Sequence, residues 1–152
     1  MPNWCSTRLT FYSEREGEIK VLYEKLWDIY DGPPTAENGF GNGWLGDVAN
    51  TFFPTIGADK ISCRGEMSLY EEPIKRNAYW YFFIDLTTAW DAKIGMWYKI
   101  VREFYPHVKI AYIAEEGGCD YYVRWDESGE FANYQYFVEL CRHEDDIEYF
   151  ND

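Results

Sequence analysis

Between Trp4 and Tyr30 the hydrophobic period changes once, and that change limits the folds open to the chain. From Trp4 to Tyr12, the residues Cys5, Thr7, Leu9 and Phe11 alternate with Ser6, Arg8 and Thr10, the period-two pattern of a strand with one buried face. Ser13-Glu14-Arg15-Glu16 then reads as a capping box, with Ser13 at the N-cap and Glu16 three residues later. Ile19, Leu22, Tyr23, Leu26 and Tyr30 follow at helical spacing, with Lys20, Glu24, Lys25 and Asp28 on the wet side. Gly32-Pro33-Pro34 ends that helix. A half-buried strand followed at once by an amphipathic helix must press its apolar face against the helical stripe, which demands a layered fold.

The rest of the chain extends the pattern. Leu45, Val48, Ala49 and Phe52 predict a short helix stopped by Pro54, after a Gly/Asn loop "ENGFGNGWLGD". Lys60 to Tyr70 reads as a strand, with Ile61, Cys63, Gly65, Met67 and Leu69 in phase, and "EEPIKRN" as a loop. Ala78 to Thr87, "AYWYFFIDLT", is apolar and aromatic enough for a central strand. Thr88 or Asp91 caps a second helix with a stripe of Ile94, Trp97, Ile100, Val101 and Phe104, ended by Pro106. Val108 to Ala114 is another strand. Tyr121, Val123 and Trp125 alternate with Asp120, Tyr122, Arg124 and Asp126, turn at Glu127-Ser128-Gly129, and pair with a partner strand at Tyr134, Tyr136, Val138 and Leu140. The order predicts an α+β, ferredoxin-like βαββαβ antiparallel sheet with two helices on one face, plus an extra C-terminal β-hairpin. Residues 1–142 form one domain and residues 143–152 an acidic tail.

Net charge is −13 over 152 residues, and it is unevenly spread. Up to Ile113 there are 15 acids and 12 bases; from Ala114 onward there are 12 acids and 2 bases. A field of that sign repels nucleic acid and membrane phosphates and attracts basic protein surfaces. The four cysteines, Cys5, Cys63, Cys119 and Cys141, make no C-x-x-C half-site. "MPNWCSTRLTFY" has neither the basic nor the apolar region of a signal peptide, and no apolar run is long enough for a bilayer. A cytoplasmic protein with reduced thiols is expected.

Three segments are familiar: "MPNWCSTRL", "FIDLTTAWDAKIGMWYKIVREFYP" and "VKIAYIAEEGGCDYYVRW". Together they resemble the YubB ferredoxin-like domain family, small proteins carried by phages, plasmids and other mobile elements. The likeness covers both ends and the second half of the chain. Between Gly39 and Asn77 it departs: this chain has "SCRGEMSLYEEP" where the family has a Trp-Gly-Thr-Lys-Trp stretch. The resemblance implies a fold and a mobile-element setting, and no established activity.

Chemistry-bearing patterns are sparse. His107 and His143 lie near no Ser or Cys nucleophile, and no G-x-S-x-G elbow occurs. "DESGE" lacks the register of a calcium loop, so no metal site is expected. "GFGNGWLG" follows a helix and lacks the Lys-Ser/Thr of a P-loop. Trp80, Phe82 and Tyr122 fit an aromatic sheet surface, but the charge argues against direct nucleic-acid binding. The densest feature is "EEGGCDYYVRWDESGEF", Glu115 to Phe131, with six carboxylates, four aromatics and one cation. Alternation predicts an outward set of Asp120, Tyr122 and Asp126, with Glu127 and Glu130 at the turn and Glu115 and Glu116 in the loop before it. The tail adds Glu144, Asp145, Asp146 and Glu148. These residues predict a carboxylate-rich face for a host protein with a basic, nucleic-acid-binding surface. The reading is non-enzymatic, with no cofactor and no catalytic residue. A nucleotide-signal binder using the Gly/aromatic loop and Lys60, Arg64, Lys75 and Arg76 stays open, as does an enzyme of unrecognised type. Exposed sheet edges leave a homodimer open too.

Overall fold

The protein is described by a computed structural model over residues 3–32, 43–119 and 121–131. Its centre is the first strand, β1 (Trp4–Ser13), which pairs along one edge with β4 (Tyr79–Ala89) and along the other with β5 (Lys109–Glu116). β2 (Gly65–Leu69) lies outside β4, and β6 (Tyr121–Trp125) lies outside β5. The six-stranded sheet therefore runs β2-β4-β1-β5-β6, with the short β3 (Ile74–Arg76) also on β4. All pairs are antiparallel. With the helices below this is a mixed α+β protein, the class the sequence predicts.

Three helices of two turns or more occur among the described residues: α1 (Glu16–Asp31), α2 (Leu45–Phe52) and, after the single turn α3 (Gly57–Lys60), α4 (Ile94–Phe104). Their apolar stripes meet one set of alternating sheet positions. Ile19, Leu22 and Leu26 of α1, Val48 and Ala49 of α2, and Trp97 and Ile100 of α4 share a core with Leu9, Phe11, Ile84, Leu86, Tyr112 and Val123. Phe11 is stacked on Phe82 at 5.1 Å and edge-on to Trp97 at 5.6 Å. Phe82 is in that core and the half-buried Trp80 packs against it, so the two do not form an exposed aromatic platform.

The other set of sheet positions carries a second cluster. Tyr12 and Ala111 are buried there among Tyr79, Tyr81, Ile113 and Phe131. Further along, Arg8 makes a two-toothed bond to Asp85 at 2.9 and 3.1 Å, directly across β1 and β4, and its guanidinium lies 4.2 Å over the Phe83 ring. The exposed pair holds cross-strand register more than it adds stability.

Several expectations change at element ends. The capping box does not form: α1 begins at Glu16 with Arg15 as its N-cap and no side-chain cap bond. Ser13 is still in β1, and its Oγ accepts the Arg15 N–H at 3.0 Å. Neither Thr88 nor Asp91 is the N-cap of α4; Lys93 is, in the left-handed region, while Asp91 Oδ1 accepts the Lys93 N–H at 3.1 Å and Thr88 donates to the Asp91 carbonyl. Ile61 and Cys63 are buried but precede β2, which starts only at Gly65. Gly65 approaches the Thr87–Thr88 backbone too closely for any β-carbon. β3 occupies part of "EEPIKRN", turned by Asn77 with φ at 52°. Phe104 is 47% exposed, although its ring still touches Phe52 and Phe53. The partner strand expected at 134–140 lies outside the described residues; β6 pairs with β5 through a 3-10 turn, Gly117–Cys119.

Leu9 is fully buried at the middle of the sheet, so Leu9→Ala should cost about 2–5 kcal/mol in urea unfolding. Val21→Ala, at a site 55% exposed, should stay within about 0.5 kcal/mol. Equal losses at both positions would contradict this core.

Candidate partner-binding surfaces

The loop after β6 is built around one carboxylate. Asp126 Oδ1 accepts the Ser128 N–H at 2.9 Å and the Ser128 hydroxyl at 2.6 Å. Its Oδ2 accepts the Phe131 N–H at 2.6 Å. Ser128 Oγ in turn accepts the Glu130 N–H at 3.1 Å, and Gly129 supplies the left-handed φ of 72° that the turn needs. The loop folds back so that Phe131 lies 5.0 Å from Tyr12 and 4.9 Å from Tyr81, centroid to centroid. Glu130 is also engaged: Oε2 accepts from Asn77 Nδ2 at 2.6 Å, and its carbonyl accepts from Arg76 at 3.2 Å. The Tyr12 hydroxyl beneath is pushed up to about 12, by burial first and then by the Asp126 charge, against the pull of the Ser128 hydrogen bond.

These contacts redistribute the expected acidic face. Glu115 and Glu116 sit inside β5 and not in a loop. Glu115 is exposed beside the half-buried Tyr122, its register partner. Glu116 points the other way, is 7% exposed, and accepts the Gly118 N–H at 3.0 Å. Asp126 and Glu130 are half-buried and hold the loop together, while Glu127 is exposed with Lys109 3.8 Å away. Asp120, Glu144, Asp145, Asp146 and Glu148 lie outside the described residues. Of the eleven positions, the structure gathers Asp126, Glu127 and Glu130 at one tip, and Glu115 and Tyr122 on the neighbouring strands.

A second acidic surface escaped the sequence reading. On α1, Tyr23 and Trp27 are four residues apart with rings 6.4 Å apart and nearly parallel, at 18°. Tyr23 is pinned by donating to the Tyr70 carbonyl at 3.0 Å. With Glu24, Asp28 and Glu72 these rings line an open cleft of about 320 Å³. The missed signal is Trp27, a large apolar residue on the helical face assigned to solvent.

The start of β1 and the turns after β4 and β5 converge at one end of the sheet. Trp4 lies opposite Ala89, and Ser6 opposite Glu115. The Trp90 N–H donates to the Asn3 carbonyl at 2.8 Å, and the Ala92 N–H to the Tyr121 hydroxyl at 3.4 Å. Trp90 is held at φ 66° and is 47% exposed as a residue, and the Arg64 guanidinium lies 5.6 Å over its ring. Beside it Lys93 is buried and paired with Asp91 at 3.1 Å. Burial pushes the nearby Cys63 thiol up to about 11, with the Lys93 charge opposing, so Cys63 is held as a neutral thiol at neutral pH. No group of three or more potential metal ligands occurs among the described residues.

No protein-family model, no curated protein and no solved structure matches this chain. The resemblance to YubB ferredoxin-like domains therefore rests on the three quoted segments alone.

Two outcomes follow from this geometry. Asp126→Ala should cost about 1–3 kcal/mol in thermal or urea unfolding, because it orphans three donors of the loop; a surface value near zero would contradict the hub. Cys63 should resist iodoacetamide at pH 8 in the native protein, since only about one thiol in a thousand is ionised there, and react once urea is added. Rapid native labelling would contradict its burial.

Proposed function

We propose that this is a non-enzymatic binding protein of a phage or mobile element. It docks a carboxylate-bearing surface on the basic, nucleic-acid-binding face of a host defence protein, of the anti-CRISPR or anti-restriction kind, in the host cytoplasm. The observation that carries the reading is the net charge of −13, most of it placed after Ile113. Such a field steers basic partners and excludes nucleic acid from the same surface. The strand order β2-β4-β1-β5 with α1 and α4 as crossovers supports a ferredoxin-like arrangement, which fits the YubB resemblance and its mobile-element setting. No helix among the described residues is long and apolar enough to cross a membrane.

A second reading, a binder of nucleotide signals, is favoured by one feature: the exposed Trp90 ring under Arg64 offers stacking and a cation together. On that reading a panel of cyclic and linear nucleotides raises the melting temperature, and Arg64→Gln removes the rise.

The test of the first reading is capture of a partner from host lysate at low and high salt, followed by competition with DNA. The partner should be a nucleic-acid-binding protein, released as salt rises from about 0.05 M to 1 M, and DNA should compete for it. A partner held equally at both salts, or one that binds DNA unimpeded in the complex, would contradict the proposal.

A further inference from the structure

We infer that the cleft on α1 formed by Tyr23, Glu24, Trp27, Asp28 and Glu72 receives an arginine or lysine side chain of the basic partner. This deepens the docking reading above and rests on it.

Four features support this occupant. First, Glu24, Asp28 and Glu72 make no ion pair within 4 Å with any described residue, and Lys20, bridged to Glu16, attracts Glu24 and Glu72 only from farther off, while Glu16, Glu18 and Glu103 on other helical surfaces each have a Lys or His partner in direct contact. Three carboxylates left facing one cleft repel each other, and a cation between them relieves that repulsion. Second, the charge sits at the unfavourable end of the helix. Asp28 and Asp31 lie in the last turn of α1, which contains no basic residue. The helix C-terminus carries partial negative charge, so carboxylates there raise the energy of the free protein and a docked cation lowers it. Third, the walls are aromatic. Trp27 is 40% exposed, and the ring of an exposed Trp attracts a guanidinium or ammonium through its π face. Fourth, the wall is preorganised: the bond from Tyr23 to Tyr70 and the stacking of Trp27 on Tyr23 fix both rings before a partner arrives. Aromatic walls rimmed by carboxylates suit a single cationic side chain, and arginine best, since it stacks and forms forked bonds to carboxylates.

The location differs from the C-terminal hairpin, where Asp126 and Glu130 are occupied by the loop itself. At the α1 cleft the carboxylates are exposed and make no such contact within the described residues, which leaves their oxygens open to a partner.

The test uses a fluorescein-labelled nona-arginine peptide and fluorescence polarisation. The full chain should bind it. Trp27→Leu, which leaves every charge in place, should weaken binding about fivefold to tenfold. The neutralised variant Glu24→Gln/Asp28→Asn/Glu72→Gln should weaken it by more than about tenfold, and should melt at the same or a higher temperature because its repulsion is gone. Glu115→Gln/Glu127→Gln should change binding less than about twofold, as exposed charges outside the cleft. If the cleft variants bind as the full chain does while the hairpin variant loses affinity, the cleft inference is overturned and the docking reading stands. If the full chain does not bind the peptide at all, both are overturned. A neutralised variant that melts well below the parent would show those carboxylates to be structural, which also overturns the inference.

Discussion

Everything in this protein hangs from β1. It is the middle strand of the sheet, paired along one edge with β4 and along the other with β5, and its alternation decides which side chains meet the helices. A one-residue slip would move Cys5, Leu9 and Phe11 to the far side and bring Arg8 into the core. The register is held on the core side by Phe11 between Phe82 and Trp97, and on the other side by the Arg8–Asp85 pair under Phe83. Since β4 and β5 take their positions from β1, the loops that follow them are brought to the same end of the sheet. Asn3, Trp90 and Tyr121 meet there for that reason.

The two faces have different tasks. The helix-covered face holds the main core. The opposite face is closed at one end by Phe131, which Asp126 and Ser128 pull down onto Tyr12 and Tyr81. A carboxylate that accepts three hydrogen bonds is a structural element, whatever its formal charge. An acidic sequence is thus not the same as an acidic surface. Between Glu115 and Phe131 only Glu115 and Glu127 are exposed among the described carboxylates. On α1 the cleft acids are exposed and make no ion pair within 4 Å among the described residues, with Lys20 acting on Glu24 and Glu72 only from farther off.

Periodicity carried most of the fold. The stripe at Ile19, Leu22 and Leu26 and the inward set Tyr121, Val123 and Trp125 are local patterns, and the structure places them as their spacing implies; in β1 the alternation puts Cys5, Leu9 and Phe11 on the core side, but Thr10 and Tyr12 on the other face are buried as well. What failed was chemistry that depends on distant contacts. Ser13 matches a capping box, yet pairing with β4 keeps it in the strand, and the helix starts two residues later than the box requires. Glu116 continues the inward phase of Tyr112 and Ala114, so its burial was available from the alternation once β5 was extended by two residues. The α1 cleft was not legible, because Glu72 comes from the β2–β3 connection and no local pattern joins it to Trp27.

The most direct measurement is a 15N-resolved NMR titration of the full chain with nona-arginine. Chemical-shift changes centred on the Tyr23–Asp28 amides, on Glu71 and Glu72, and on the Trp27 indole N–H are the expected result. Changes confined to Glu115 and the loop at 126–130, with α1 unmoved, would contradict the assignment of docking to the helix.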